Sequence, residues 1–503
     1  GGGGGTTDTT TPNETNQSNN SSDTTTTPHT TQTVQNRTYE LVLDVNETTI
    51  STNWRKLLNM PTAKSIKYIE HGKLLHGAKY GNFDVDEDIL KYNKTVEINS
   101  TDIGNFEVTL PKQEEPIQVT ISIKSLYWKE AKCGNSHTIA LKSDGTIWSW
   151  GYNNNGELGD GTNDDRWIGV EEITHSHDWR SIDAGGWFNM AIKNDGTLWA
   201  WGHNDLGQFG NNSDIFTDYS STKPIKVSNE HWKSIALGQN HVLAIRDNNT
   251  LWAWGSNAQG QIGNGGVNGI QKTPYKVGDN YQYITAGKNY SLAMQESGTN
   301  NPLAVATKYK FWAWGDNSFG QLGIGSKDNK DKPTLLYDSQ NPTWAEDANF
   351  QDVVAGAYHT LALQKNKTVW GWGNNGYGEL TNNSDGTDEE HSPIKIDILD
   401  FVKLSAGENY SMGIKSDGTL WGWGNGQYGN LGDNSTDVNV KFPRQEATKS
   451  TKWVYIDTGN RHSIGIQSDG TLWSWGDNNY GQLGNATDNS SSKPIHIMGR
   501  YLN

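Results

Sequence analysis

A four-residue motif, Trp-x-Trp-Gly, occurs seven times and restricts the fold more than any other feature of this sequence. The copies start at Trp148, Trp199, Trp252, Trp312, Trp370, Trp421 and Trp473. The residue between the two tryptophans is always Ser, Ala or Gly. Side chains alternate between faces in an extended segment, so both indoles share one face and the small residue takes the other. The motif therefore predicts units that stack an indole face onto a face of small residues.

The spacing between successive copies is 51, 53, 60, 58, 51 and 52 residues, which is the range of propeller blades. Each repeat carries four strand signals, named A to D in chain order, and strand C holds the Trp-x-Trp-Gly motif. Dipeptides such as Asp144-Gly145 suit a tight hairpin between strands B and C. An open stack needs polar end caps, but the first and last copies are as regular as the others. We therefore predict a closed seven-bladed β-propeller over residues 126–503.

The repeat also carries a family resemblance. Its consensus, A-G-x-x-H-x-x-A-L-x-x-D-G-T-L-W-x-W-G-x-N-x-x-G-Q-L-G, is similar to the regulator of chromosome condensation repeat, seven copies of which form a β-propeller. Propellers of that family serve as guanine-nucleotide exchange factors, ubiquitin-ligase modules, chromatin binders and secreted bacterial inhibitors of β-lactamase. The resemblance implies the fold and a binding role, but fold alone does not select a partner. The last blade should be completed by its own strand at Pro494, with a clasp from residues 116–119 as the alternative.

The N-terminal region has a different texture. Residues 1–36 consist mainly of Gly, Thr, Asn, Ser and Asp and predict a disordered tether. Residues 37–125 alternate apolar and polar positions between turn signals, which predicts a small β-sandwich spacer, and residues 101–111 resemble a hairpin of carboxypeptidase-regulatory-like surface domains. The tether resembles the segment that follows the acylated cysteine of bacterial surface lipoproteins. We therefore expect an extracellular or cell-surface location, with membrane contact only through a lipid anchor ahead of Gly1.

Charge and cysteine content restrict the partner. The formal net charge is -16, which disfavours nucleic acid and anionic membrane surfaces and favours cationic or neutral partners. The single cysteine, Cys133, excludes an internal disulfide framework, and its alignment with Ala184 of the next repeat indicates a small buried side chain. A protein partner is expected first, and a glycan is the alternative.

No catalytic constellation is evident, so we expect neither enzymatic activity nor a cofactor. The strongest candidate for chemistry is the position three residues after the strand A glycine, which holds His137, His241, His359 and His462, with Phe or Tyr in the other repeats. Four histidines around one axis could bind a metal or, as a remote alternative, support a hydrolase that uses central-channel histidines. Because Phe and Tyr replace His in the same position, packing explains the pattern better, and no metal site is predicted.

The binding site is predicted from tryptophans that the repeat does not require. Trp54, Trp167, Trp187 and Trp344 have no place in the repeat pattern, and unassigned Trp on loops is typical of interfaces. The A–B turns and C–D loops emerge on one face, so Trp167 and Trp187 should be neighbours. In the β-lactamase inhibitor that the family includes, the residue just before the histidine position binds the partner. Here that position holds Ser136, Trp187, Asn240, Asn289, Tyr358, Asn409 and Arg461.

These observations give one functional hypothesis and its alternatives. We predict a non-enzymatic, surface-exposed or secreted module that binds a protein partner through Trp187, Trp167, Tyr358 and Arg461. A carbohydrate-binding propeller is the alternative, since exposed Trp beside Asn and Asp also suits sugars. Insertions at residues 297–310 and 338–349 would lie on the opposite face and form a competing site.

Overall fold

The computed structural model describes residues 37–43, 49–58, 65–71, 81–86, 89–94, 101–109, 117–267, 269–296, 309–340, 342–345, 350–381 and 388–497. The predicted tether lies outside these residues. The N-terminal part forms two sheets, with strand orders β1-β7-β6-β3 and β2-β5-β4. Its elements are β1 (Arg37–Leu43), β2 (Thr49–Asn53), α1 (Trp54–Leu57), β3 (Ser65–His71), β4 (Gly81–Asp86), β5 (Ile89–Lys94), β6 (Thr101–Thr109) and β7 (Ile117–Ser125).

The single turn of helix in this part, α1, has a local cause. The side chain of Asn53 accepts a hydrogen bond from the backbone N–H of Lys56 at 3.0 Å, and Trp54 is fully buried. Trp54 is therefore a core residue and not a binding residue. Strand β1 pairs with β7 in parallel, while β6 pairs with β3 and β7 in antiparallel fashion. Two sheets are compatible with a sandwich, and the spacer with its boundaries stays a prediction.

Seven four-stranded antiparallel sheets follow, each built from consecutive strands in the order A-B-C-D. The first four are β8 (Trp128–Cys133), β9 (His137–Lys142), β10 (Ile147–Gly151), β11 (Arg166–Glu171); β12 (Trp179–Ala184), β13 (Phe188–Lys193), β14 (Leu198–His203), β15 (Ser220–Ser228); β16 (Trp232–Leu237), β17 (His241–Arg246), β18 (Leu251–Ser256), β19 (Ile270–Gly278); and β20 (Tyr281–Ala286), β21 (Tyr290–Glu296), β22 (Tyr309–Gly315), β23 (Lys330–Asp338).

The last three sheets complete the propeller. They are β24 (Phe350–Ala355), β25 (His359–Gln364), β26 (Val369–Asn374), β27 (Glu389–Ile396); β28 (Phe401–Ala406), β29 (Tyr410–Lys415), β30 (Leu420–Gly424), β31 (Val440–Gln445); and β32 (Trp453–Thr458), β33 (His462–Gln467), β34 (Leu472–Gly476), β35 (Ser491–Ile497). The all-β seven-bladed propeller is therefore confirmed. Blade 7 contains only C-terminal strands, and β7 pairs in the N-terminal sheet, so none of the N-terminal strands that the structure describes acts as a clasp for that blade.

The blades pack as the Trp-x-Trp-Gly pattern predicts. Trp179 and Trp201 of blade 2 share a core cluster with Ile139 and Leu141 of blade 1, and the same relation recurs around the ring. The residue between the tryptophans is small because the C–D loop folds over it. A Cβ on Gly371 would lie 2.5 Å from Cδ1 of Ile396 and 3.0 Å from Cδ2 of Leu380.

The same type of hydrogen bond recurs between every pair of neighbouring blades. The indole N–H of the second tryptophan donates to a backbone carbonyl in the C–D loop of the preceding blade, at 2.7 to 3.0 Å. The bond from Trp150 of blade 1 to Gln482 of blade 7 closes the ring. The other donor–acceptor pairs are Trp201–Glu157, Trp254–Gln208, Trp314–Gln261, Trp372–Gln321, Trp423–Glu379 and Trp475–Asn430.

The residues at the histidine position also link neighbouring blades. Nε2 of His241 lies 3.0 Å from Oγ of Ser291 in the next blade, and His137, His359 and His462 make equivalent contacts with Asn189, Ser411 and Thr138. Where the position holds Phe188, the facing residue is the apolar Val242. The imidazole ring also explains why strand A is followed by a glycine, since a Cβ on Gly134 would lie 2.1 Å from Cε1 of His137. Matched pairs at this position hold neighbouring blades together.

These buried histidines predict acid sensitivity. Burial lowers the pKa of His241 from 6.5 to about 3, so the folded protein keeps it neutral while the unfolded chain takes up a proton below pH 6.5. The stability from the neutral form is complete above pH 6.5 and is lost as the pH falls towards 3. Linkage gives a loss of roughly 2 kcal/mol at pH 5 for one such histidine.

The double variant His241→Phe, Ser291→Val copies the natural Phe188–Val242 pair. It should remove the part of the pH-dependent unfolding free energy that comes from His241. We expect the difference in unfolding free energy between pH 7.5 and pH 5 to shrink by roughly 2 kcal/mol in urea titrations. Glu157 and Glu379, whose pKa burial raises to about 7, act with the opposite sign, but they are unchanged in the variant and cancel in the comparison. An unchanged pH dependence would show that His241 is not the cause.

Candidate functional site

The A–B turns and C–D loops form one face of the propeller, and three contacts on this face follow a rule. In blades 2, 5 and 7, the residue before the histidine position lies on an aromatic side chain in the C–D loop region of the preceding blade. The ring centroids of Tyr358 and Phe319 are 5.0 Å apart, and the guanidinium of Arg461 lies 4.6 Å from the ring centroid of Tyr428. The turn of blade 2 follows the same rule through Trp187 and Tyr152. We call the surface built from turns and loops the loop face.

An aromatic arc occupies the loop face across blades 7, 1 and 2. The ring of Tyr152 lies 4.8 Å from Trp187 and 5.2 Å from Tyr480, at interplanar angles of 57° and 87°. Trp167 lies at the start of strand β11 and not in the C–D loop, where the sequence placed it. It continues the arc from there, because a Cβ on Gly481, which follows Tyr480, would lie 3.0 Å from Cδ1 of Trp167. Trp167 and Tyr480 are each 41% exposed. Trp187 and Trp167 thus belong to one surface, connected through Tyr152 and Tyr480.

Tyr358 belongs to a separate cluster on blade 5. Its hydroxyl accepts a hydrogen bond from Nζ of Lys288 at 2.9 Å, and the same ammonium lies 3.2 Å from Oε1 of Glu408. Burial lowers the pKa of Lys288, but Tyr358 and Glu408 outweigh burial and leave that pKa raised. The structure therefore does not place Tyr358 in the aromatic arc.

Arg461 is an exposed residue in the A–B turn of blade 7. Its guanidinium packs on Tyr428 of blade 6, and Tyr480 follows in the C–D loop of its own blade. Arg461 therefore lies in a blade that contributes to the arc, and its charge is placed by a ring of the same chain. This cation–π contact is worth roughly 0.5–1 kcal/mol at an exposed site.

Sequence reasoning missed four aromatic residues of the loop face. Phe216 and Tyr219, in the C–D loop of blade 2, are 87% and 53% exposed. Tyr152 and Tyr480 occupy positions inside the repeat pattern, where they were not counted as spare. Conversely, Trp344 packs against Phe350 and Trp370 in the core at blade 5 and is not a binding residue.

The arc is bordered by carboxylates. Arg166 pairs with Asp160 at 2.8 Å, and neither Asp164 nor Asp165 lies within salt-bridge distance of a Lys or Arg in the described part of the chain. Burial raises the pKa of Asp165, and Asp164 adds to the increase. Burial likewise raises the pKa of Tyr152, and the negative charges of Glu157 and Asp165 contribute. The electrostatic environment of Tyr152 therefore favours a nearby cation.

The central channel is a second concave region, with a cavity of about 490 Å³ lined by strands A. Nζ of Lys132 lies 3.3 Å from Asp457 and 3.9 Å from Asp183. Both carboxylates also accept backbone N–H groups of the next blade, from Cys133 and Leu237. Burial raises the pKa of Asp183 to about 7, against the opposing effect of Lys132. These charges join the inner strands, so the channel is already used for structure.

The placement of the histidines corrects the remote catalytic alternative. His137, His241, His359 and His462 are completely buried between blades and line neither cavity of the channel. A hydrolase that uses channel histidines is therefore not supported by their positions. Within the described residues, no group of three or more His, Cys, Asp or Glu side chains is arranged to hold a metal ion.

Three further expectations can be placed. Cys133 is buried, as its alignment with alanines predicts, and burial raises the pKa of its thiol well above the usual range. Most of the two insertions, residues 297–308, 341 and 346–349, lies outside the described residues, so the competing site on the opposite face stays a prediction. In the parts of the chain that are described, no helix is long and apolar enough to cross a membrane.

The sheets and their strand order define a seven-bladed repeat propeller. The chain belongs to the RCC1-like family, because residues 100–440 match the RCC1-like domain. Residues 417–466 and 469–501 match the regulator of chromosome condensation (RCC1) repeat, and a second description of that repeat matches residues 453–482. The resemblance inferred from the repeat consensus is thereby confirmed.

Curated relatives differ widely in size and role. The human E3 ubiquitin-protein ligase HERC2 is 29% identical over 379 residues, which span 73% of this chain and only 7% of HERC2. The ultraviolet-B receptor UVR8 of Arabidopsis thaliana is 29% identical over 367 residues, or 70% of this chain and 77% of UVR8. The similarity to HERC2 therefore concerns a small part of that ligase and carries no ligase activity to this chain.

Solved structures support the fold. Human WBSCR16 aligns with a TM-score of 0.58 at 18% identity and covers 70% of this chain and 94% of its own. Yeast RCC1 (Prp20), solved bound to Kap60, aligns with a TM-score of 0.59 at 20% identity and covers 74% and 85%. Another structure of Prp20p from Saccharomyces cerevisiae was described together with its binding to Gsp1p and histones.

The two kinds of tryptophan should respond differently to truncation. Trp187 is only partly buried and packs on Tyr152, so Trp187→Ala should cost less than about 1.5 kcal/mol of unfolding free energy. Trp201 is fully buried and donates to Glu157, so Trp201→Ala should cost about 3–5 kcal/mol. Urea unfolding followed by circular dichroism measures both. Equal losses would mean that Trp187 is needed for folding and would remove the argument that it is free for binding.

Proposed function

We propose that this chain is a non-enzymatic binding module that engages a protein partner through its loop face, centred on Trp187 and Trp167. The observation that carries the proposal is the aromatic arc: four rings from three blades form one surface, and the fold does not require their exposure. Turns of four other blades hold Ser or Asn where blade 2 holds Trp187. Trp and Tyr are the residues most enriched among interface hot spots.

The surrounding scaffold favours tight binding. The loop bases are fixed by the indole–carbonyl bonds, and the loops themselves are held by side chains such as Asn153, whose Oδ1 accepts from Leu158 N–H at 2.9 Å. A surface that is rigid before contact loses little conformational entropy on binding. Relatives support a protein partner in general terms, since yeast Prp20 is seen bound to Kap60. Arg461 lies at the border of the aromatic arc, and Tyr358 belongs to the loop face but not to the arc.

The location is a separate part of the proposal. We propose that residues 1–36 hold the propeller at an extracellular or cell-surface position, a role supported by the low content of apolar residues in that segment. Fractionation of the native cells, with detection of residues 126–503 in the surface and secreted fractions, tests it. Recovery only from the cell interior would contradict it.

The test of partner binding uses the full chain as bait in extracts of its native surroundings, followed by affinity measurement with the purified partner. Trp187→Ala and Trp167→Ala should each weaken binding by at least about 30-fold, the loss expected for a hot-spot side chain of about 2 kcal/mol. Tyr358→Ala is the matched control, because it removes an aromatic ring from the same turn position in blade 5. We expect it to change affinity less than about threefold.

Two outcomes would contradict the proposed function. Normal affinity in both tryptophan variants, together with loss of affinity on shortening residues 297–308, would place the interface on the opposite face. Specific retention of a glycan on an array, abolished by Trp167→Ala in the absence of any protein partner, would replace protein binding with the lectin alternative.

A further inference from the structure

The loop face is built from seven equivalent turns, so its aromatic rings can be compared between blades. Tyr480 of blade 7 differs from the equivalent rings. The residue before the glycine in the W-G-x-x-x-x-G turn is aromatic in four blades, as Phe319, Tyr377, Tyr428 and Tyr480. The next blade covers Phe319 with Tyr358 and Tyr428 with Arg461. The residue in that covering position over Tyr480 is Ser136, which has too short a side chain to cover a ring.

The exposure of the rings agrees with this difference. Tyr480 is 41% exposed, whereas Phe319, Tyr377 and Tyr428 are partly buried. The backbone carbonyl of Ser136 accepts a hydrogen bond from Tyr152 N–H at 2.9 Å, so the small residue lies beside the arc. Tyr152 meets Tyr480 at 87° and Trp187 at 57°, so Tyr152 packs on both rings. Tyr480 keeps 41% of its surface exposed beside Ser136, whereas Arg461 packs on the equivalent Tyr428.

Most charges around this position are negative, and the two nearby cations already have contacts within the chain, Arg461 with Tyr428 and Arg166 with Asp160. The C–D loop of blade 1 carries Glu157, Asp160, Asp164 and Asp165, and its one cation, Arg166, is paired with Asp160. The C–D loop of blade 7, residues 477–490, contains Asp477 and Asp488 and no Lys or Arg. Aromatic faces attract cations, and nearby carboxylates add to that attraction.

We infer that the aromatic site formed by Tyr480, Tyr152 and Trp187 binds an arginine side chain of the protein partner on the exposed part of Tyr480, in the manner in which Arg461 packs on Tyr428 within this chain. The inference rests on the proposed function and narrows it to a partner with a basic segment. The guanidinium stacks on Tyr480, its positive charge faces the acidic loops of blades 7 and 1, and its methylene groups contact Trp187. Arginine is favoured over lysine because its planar group stacks on rings and is weakly hydrated.

The test uses the full chain and a probe peptide, acetyl-Gly-Gly-Arg-Gly-Gly-amide, with a citrulline version in which the guanidinium is replaced by a neutral urea of the same shape. Saturation-transfer NMR titration up to about 10 mM covers the affinities expected for one side chain. We expect the citrulline peptide to bind at least about fivefold more weakly, which corresponds to roughly 1 kcal/mol. A lysine version should fall between the two.

Variants locate the binding. Tyr480→Ala removes the ring and should weaken binding of the arginine peptide at least about fivefold. Ser136→Arg removes nothing and supplies the chain with its own covering guanidinium, so it should compete with the peptide to the same extent. Phe319→Ala is the matched control, because it removes the equivalent ring in blade 4, which Tyr358 already covers, and it should leave peptide affinity unchanged. Melting temperatures confirm that each variant is folded.

Each result bears on the inference in one direction. Equal binding of the arginine and citrulline peptides, full binding by Ser136→Arg, or no binding of the arginine peptide to the unaltered chain would overturn it. Those results would leave the proposed function standing if Trp187→Ala and Trp167→Ala still weaken the natural partner. If no variant of the arc weakens partner binding, both the arginine inference and the proposed function are contradicted.

Discussion

The structure depends on one contact repeated seven times, the hydrogen bond from the second indole N–H of each Trp-x-Trp-Gly motif to a loop carbonyl of the preceding blade. A buried indole N–H or carbonyl without a partner is costly, so each bond fixes the position of two blades at once. The same indole also shares a core cluster with the small residue of the preceding blade, as Trp254 does with Ala200. Because the bond from Trp150 to Gln482 repeats this geometry between the first and last blades, the ring closes without exchange of a strand between them.

This contact also connects the interior to the loop face. The accepting carbonyl belongs to the C–D loop, so the loop is anchored by the core of the next blade and not by its own contacts alone. Residues of the loop face that take no part in the bond, such as Phe216 and Tyr480, are free to differ between blades. The repeat pattern thus specifies where the loops lie, while the departures from the pattern give each blade its own loop surface.

The sequence allowed the fold to be predicted almost completely and the site only in part, for physical reasons. A period of 51 to 60 residues and a fixed pair of indoles determine blade number, strand order and inward-facing residues. Trp187 could be found because neighbouring turns hold Ser or Asn. Tyr152 and Tyr480 could not, since they are 328 positions apart, and only ring closure brings their rings to 5.2 Å. Packing was the favoured explanation of the histidines, and the structure buries them between blades with hydrogen bonds to the next blade, which leaves the remote channel alternative without support.

The positions of the carboxylates around the arc matter more than the total charge of the chain. A net charge of -16 spread evenly would steer cationic partners without choosing a site. Around the arc, however, the cation of the blade 1 loop is already paired with Asp160, so the field from Asp164 and Asp165 is not cancelled where the rings are exposed. Aromatic rings alone would accept many apolar groups, and carboxylates alone would be well solvated and weak. Their combination on a surface held rigid by the indole bonds gives discrimination, because only a group that is both flat and positively charged satisfies both features.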